Sequence, residues 1–211
     1  MSAMTKVDFK KELPCYKAKL NKFDIIEVPD MAYLMIDGHG DPNGGEFTHA
    51  IEALYPLAYK LKFASKTDLQ RDYVVPPLEA LWWADDMNAY TEARDKSKWS
   101  WTAMLMTPDW ITNEMLDGAK SVVAPDADAP NSVTVNKVRL ETLSEGLCVQ
   151  VLHVGSYDEE GPVLERMHSE FIPENNLQMT KQHHEIYLSD ARKTEPAKLR
   201  TILRQPVATN G

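Results

Sequence analysis

The stretch GLCVQVLHVGSYDEEGPVLERMHSEFIPENNLQM, residues 146–179, repeats in outline what MAYLMIDGHGDPNGGEFTHAIEALYPLAYKLKF, residues 31–63, has already spelled. Each begins with an apolar run of strand character and turns at a glycine. An acidic stretch with Gly or Pro follows, then an amphipathic helix. In the first helix Phe47, Ile51, Leu54, Ala58 and Leu61 recur at helical spacing, and in the second Val163, Met167, Phe171 and Ile172 do. Pro56 is expected to kink or break the first helix, because proline has no N–H to give the preceding turn. Pro162, just after Gly161, suits a first helical position.

The correspondence continues downstream. PPLEALWWADD (76–86) lies where KQHHEIYLSDA (181–191) lies in the second half, and both read as strands, with Glu79 matched to Glu185. WSWTAMLMTP (99–108) and KLRTILRQP (198–206) then give a further strand that ends at proline. Each half therefore reads strand, helix, strand, strand, an α+β organisation with a duplicated unit. ASKTDLQRDY and DMNAYTEARDKSK, extra to the first half, read as polar loops. Between the halves, residues 109–132 read as a helix with Asp109 as N-cap, followed by a turn-rich linker. The division expected is an N-terminal extension over 1–20, with Cys15 ahead of the fold proper. A single domain over 21–207 follows, made of pseudo-symmetric halves at about 21–108 and 133–207.

In HHEIYLSD (183–190) a glutamate interrupts an apolar strand. A buried carboxylate is costly unless it is paired or functional. Strand side chains alternate, so His183, Glu185, Tyr187 and Ser189 share one face and His184, Ile186 and Leu188 the other. The apolar face is expected to pack on the helix, leaving Glu185 and Tyr187 on the helix-free face. The same count puts Glu79 and Trp83 together, with Trp82 facing the helices. If the two halves pack edge to edge, Glu185 and Tyr187 form one wall of a central groove and Glu79 and Trp83 the other, with Trp101 beside them. Such a groove stacks flat ligands and attracts cations. Its carboxylate can serve as a general base or as a counter-charge. The plainer alternative for Glu185 is a solvated edge carboxylate paired with Arg192 or Lys193. His153 can reach the groove or be an ordinary hydrogen-bonded sheet histidine, and Tyr157 can anchor the Gly155 turn or line the cleft.

The whole chain narrows the field. With 211 residues, 43% hydrophobic and 26% charged, it is long enough for one good core and too apolar for wholesale disorder. A net charge of −9 argues against nonspecific binding to nucleic acid or to an anionic membrane. A polar N-terminus and the lack of any window of membrane-span length imply a cytoplasmic protein with reduced thiols at Cys15 and Cys148. His183 and His184 point to opposite faces and cannot chelate as a pair, so no metal is expected. HGDPNGG (39–45) lacks the Gly-Lys-Ser/Thr of a phosphate loop.

The segments HVGSYDEEGPVLERMHSEFI, HHEIYLSDARKTEPAKLRTILRQP and PPLEALWW together resemble the GyrI-like small-molecule-binding family, over roughly residues 20 to 207. That family is related to the effector-binding domains of drug-responsive transcription regulators. The resemblance implies tandem strand-helix-strand-strand units around a central ligand cleft, with Glu185 facing bulky, often cationic, aromatic compounds. One stand-alone branch is similar to enzymes that open the cyclopropane ring of duocarmycin- and yatakemycin-type alkylators, a detoxifying hydrolysis. It implies Glu185 as base, Tyr187 as oxygen donor or water-positioning group, and aromatic walls including Trp83 and Trp101. Glu79 and His153 join as ligand contacts, and no cofactor is required. A non-catalytic drug sensor or sponge is the alternative implied.

Overall fold

The computed structural model describes residues 5–84, 96–125 and 131–211. The polar loop expected at 86–98 and the linker at 124–132 fall largely outside the described residues. The expected α+β architecture is present, as a large antiparallel sheet with helices packed on it. Its strands are β2 (Asp24–Val28), β3 (Met31–His39), β5 (Leu78–Trp83), β6 (Ser100–Thr107), β7 (Arg139–Leu143), β8 (Gly146–Val154), β9 (Leu177–Met179), β10 (His183–Tyr187) and β11 (Arg200–Thr209). Their order is β7–β3–β6–β5–β10–β11–β8–β2, with β9 added to the end of β11.

From the central β5–β10 pair outward the two sides match. β5, β6 and β3 lie on one side and β10, β11 and β8 on the other. The outermost strands are exchanged. β2 runs directly into β3 in sequence yet pairs with β8, and β7 runs into β8 yet pairs with β3. The edges of each half are therefore completed by chain belonging to the other.

One face of the sheet carries the helices. α2 (Gly45–Asp68) is continuous for 24 residues and buries Phe47, Ala50, Leu54, Leu57 and Leu61 on the first-half strands. The expected break at Pro56 does not occur. Pro56 lies on the exposed side, where water can satisfy the carbonyl one turn back. The same helix absorbs the start of the loop expected at 64–73, and Asp72–Tyr73 forms a short strand, β4, parallel to β1 (Lys6–Val7). α3 (Asn113–Val123) is capped by Thr112, which accepts from the Met115 N–H, and not by Asp109. α4 (Ser132–Lys137) leads into β7. The helix of the second half is interrupted: α5 (Gly161–Glu165) passes through a π-helical stretch, Arg166–Phe171, into α6 (Ile172–Glu174).

The opposite face of the sheet is covered as well. The N-terminal segment, including α1 (Phe9–Glu12), crosses it and packs Cys15 and Tyr16 into a core with Tyr33, Met104, Ile186 and Ile202. Cys15 is thus buried inside the fold and does not precede it.

Candidate functional site

A cleft of about 1760 Å³ opens on the helix-bearing face, above the β5–β10 junction. Phe47, Ile51 and Tyr55 of α2 form one side, and Tyr157, Glu160 and Leu164 at the start of the second helical run form the other. Glu185, Tyr187, Trp82 and Trp99 also line it. Helices from both halves thus converge over the central strand pair.

Register decides which side chains reach the cleft. Across the β5–β10 pair, Glu185 stands opposite Ala80 and His183 opposite Trp82, whereas Glu79 stands opposite Ile186 and Leu81 opposite His184. Opposed residues share a face. Glu185, His183 and Trp82 therefore face the cleft with Tyr187, and Glu79 and His184 face away from it. The expected face for Glu185 and Tyr187 is corrected to the helix-bearing one. Ile186 packs instead against the core under the N-terminal segment.

Glu185 is 8% exposed. The Tyr187 hydroxyl donates to its Oε2 at 2.8 Å and accepts from the Trp82 indole N–H at 3.0 Å. The result is a directed chain, indole to phenol to carboxylate. Burial, and then the Glu185 charge, raises the Tyr187 pKa well above the ordinary phenol value, so this proton stays on the ring. Tyr157 meets Tyr187 edge-on at 5.6 Å, and burial followed by Glu185 and Glu160 pushes its phenol up to about 12. Both phenols are neutral at physiological pH. Behind Glu185, His183 Nε2 lies 3.9 Å from Oε1. Burial, with His168 and His184 adding to it, drives His183 well below the usual imidazole value, and burial brings His168 down to about 4. Both imidazoles are neutral at pH 7. His168 also lines the cleft, from the π-helical stretch, a distortion found often at functional sites.

The remaining residues singled out from sequence take other places. Glu79, fully buried, accepts from Tyr16 at 2.5 Å and from Tyr33 at 3.3 Å. Its Oε2 is also 2.9 Å from His184 Nε2, an ion-pair distance off the hydrogen-bond line. It is one member of a buried cluster, not a second wall of the groove. Trp83 packs with that back-face core, and Trp82 takes the cleft position instead. Trp101 is inaccessible beneath the cleft and meets Phe47 edge-on at 4.9 Å. The His153 ring is engaged with the Ser156 carbonyl at 3.0 Å, which makes it a hydrogen-bonded sheet histidine. Trp99, which shares strand parity with Trp101 and is expected to join the groove with it, does line the cleft. Tyr55, Glu160 and His168 carry no distinguishing sequence signal, since aromatic and charged residues are common on amphipathic helices.

A duplicated antiparallel unit with an aromatic, carboxyl-bearing cleft at its pseudo-twofold junction defines a small-molecule-binding domain. The sequence model of the GyrI-like small molecule binding domain matches residues 21–208, and the chain belongs to that family. It is similar, at 41% identity and a TM-score of 0.84 over 96% of its length, to an uncharacterized conserved protein from Listeria innocua, all of which is covered. At 40% identity and a TM-score of 0.83 over 97% of its length it is similar to a hydrolase from the same organism, again covered in full. The EcmrR C-terminal domain shares the fold at 12% identity, with a TM-score of 0.55 over 90% of this chain and 98% of that domain. No curated protein matches the chain. No helix among the described residues is long and apolar enough to cross a membrane.

Proposed function

We infer that the chain binds bulky flat aromatic compounds over Glu185 and opens the strained ring of cyclopropane-bearing alkylators of the duocarmycin and yatakemycin type by adding water. The observation that carries this reading is the Trp82–Tyr187–Glu185 hydrogen-bond chain on the floor of an aromatic cleft. The relatives at 40% identity that are described as hydrolases support it.

The reaction needs a base at the water and a proton at the dienone oxygen. Glu185 takes a proton from water as the water oxygen bonds to the cyclopropane methylene. The methylene–ring bond breaks, its electron pair moves through the dienone to the carbonyl oxygen, and that oxygen gains a proton to become a phenol. One water is consumed, and the products are an alcohol and a phenol on one molecule. Tyr187 already donates to Glu185, so it acts as a positioning residue that fixes the carboxylate. The Tyr157 hydroxyl is a neutral donor in the same cleft and suits the developing oxyanion. The aromatic walls exclude bulk water and hold the polycycle in line.

A second reading is non-catalytic capture of aromatic cations. It is favoured by the buried carboxyl groups of Glu185 and Glu160 in an aromatic cleft whose lining imidazole, His168, is neutral. One pair of assays separates the two, on wild type and Glu185→Gln with a duocarmycin-type alkylator. Loss of the ultraviolet chromophore reports turnover, and tryptophan quenching reports binding. Turnover by wild type, with a Gln variant that binds normally and slows by about 10²-fold or more, is the expected outcome for a general base. Binding by both without turnover would leave the cation-capture reading and remove the hydrolase.

A further inference from the structure

We propose that the cleft continues into a tail subsite along the outer side of α2, formed by Tyr55 and Tyr59 with Phe63 beyond them, which takes the flat aromatic extension of a ligand whose head lies over Glu185. This rests on the small-molecule reading above and adds a preference for elongated ligands over compact ones. The three residues are spaced by four and so fall on one stripe of the helix. Their rings form a ladder. Tyr55 and Tyr59 lie 6.4 Å apart with 27° between planes, and Tyr59 and Phe63 lie 6.5 Å apart at 31°.

The ladder is not core. Tyr59 is 47% and Phe63 54% exposed, while Leu57, Ala58 and Leu61 on the neighbouring stripe are buried. It is continuous with the cleft, since Tyr55 and Tyr59 line the same cavity as Glu185. Size argues the same way. At about 1760 Å³ the cleft exceeds the roughly 300–1,000 Å³ of an ordinary small-molecule pocket. A compact ligand seated at Glu185 leaves the Tyr55–Tyr59 end unfilled. A charged pair stands beside that end: Asp190, held by Arg192 at 2.9 Å, is close enough to Tyr55 for both charges to act on its phenol. An apolar ring platform beside a charged pair suits a rigid aryl extension, which stacks on ring faces and asks for no buried hydrogen bonds.

The test uses two triphenylphosphonium cations, one bearing a methyl group and one a linear terphenyl arm. Both are titrated into wild type, Tyr59→Ala, Phe63→Ala and Leu69→Ala. Leu69, at the end of the same helix and also half-exposed, controls for nonspecific apolar adhesion. All three positions are exposed enough for the variants to keep the fold, which thermal unfolding checks. Wild type should bind the terphenyl compound at least tenfold more tightly than the methyl one. Tyr59→Ala should lose about tenfold for the terphenyl compound, and Phe63→Ala about threefold. The methyl compound should stay within twofold throughout, and Leu69→Ala should match wild type. Equal affinity of wild type for both compounds would overturn the tail subsite and leave the Glu185 reading standing. So would an equal loss of both compounds in Tyr59→Ala, or an equal loss of the terphenyl compound in Leu69→Ala. Failure of wild type to bind either compound would overturn the tail subsite together with the cation-capture reading, while the turnover assay on the duocarmycin-type alkylator decides the hydrolase reading by itself.

Discussion

At Gly38 the backbone of β3 passes against the indole of Trp101. A Cβ there would stand 2.1 Å from Cη2 and 2.2 Å from Cζ2, inside any permissible contact. Trp101 is fully buried, and it meets Phe47 of the cleft wall edge-on. Gly38→Ala should therefore cost about 1–3 kcal/mol through overpacking and also weaken aromatic ligands by displacing Phe47. Urea unfolding and a binding titration on the same variant check this, and an unchanged urea midpoint would show that the ring has room. At this scale, period-two alternation is enough to place His183, Glu185 and Tyr187 on one face. It cannot place Glu79. Internal matching sets Glu79 beside Glu185, yet the β5–β10 pairing sets Glu185 opposite Ala80, and a slip of one residue moves a side chain through the sheet. Nothing local fixes the register of two strands about a hundred residues apart. Nor does alternation tell which face carries the helices here, because the N-terminal segment covers the other face and gives it a core of its own.

The strand β10 divides two environments at adjacent residues. Glu185 serves the cleft, while His184 belongs to the cluster on the other face. His184 Nδ1 lies 2.9 Å from Glu145, and Arg204 donates to Glu145 at 2.8 Å and to the Cys15 carbonyl at 2.7 Å. With Glu79 these are two acids and two bases, all buried, and they fasten the N-terminal segment to the sheet. Burial alone would lower His184, but Glu145 and then Glu79 outweigh it and hold its pKa above the usual 6.5. Burial alone would raise Glu145, but His184 and Arg204 bring it down to about 2. The signs follow from linkage. His184 stabilises fully below about pH 6.5, and its contribution fades as pH rises through the raised value. Glu145 contributes fully above about pH 4.5 and loses its contribution as pH falls toward 2. Urea midpoints should peak between those limits, and His184→Gln should flatten the alkaline decline. An alkaline slope that survives the substitution would place the titrating group elsewhere. Arg204→Met strands Glu145 and should cost about 3–5 kcal/mol. The segment reads as an extension in the sequence because its few apolar residues, Phe9, Leu13, Cys15 and Tyr16, sit among Lys10, Lys11, Glu12 and Lys17. Only their tertiary partners show them to be core.

The duplicated units, legible from the two strand-turn-helix stretches, do not show that the halves are interlocked, because β2 and β7 read simply as strands adjoining β3 and β8. Their exchange changes how the molecule should unfold. Each half lacks an edge strand unless the other half is present, and the cleft needs both sets of helices. Two merely adjacent units could melt in sequence, whereas exchanged edges tie the stability of each to the other. The five tryptophans lie between residues 82 and 110, four in the first half and Trp110 in the helix segment that follows it, so their fluorescence is weighted toward that half. Far-ultraviolet circular dichroism follows both. If the exchange governs cooperativity, the two signals should give one coincident urea transition, with the same midpoint and the same slope. A variant weakened in the second half, such as Leu203→Ala in β11, whose core partners are Val149, Val151, Met167 and Ile172, should move the tryptophan midpoint as far as the circular dichroism midpoint. Removing that fully buried side chain costs about 2–5 kcal/mol, well above the scatter of such curves. A tryptophan transition that stays in place while circular dichroism shifts would mean that the halves fold independently despite the swapped strands.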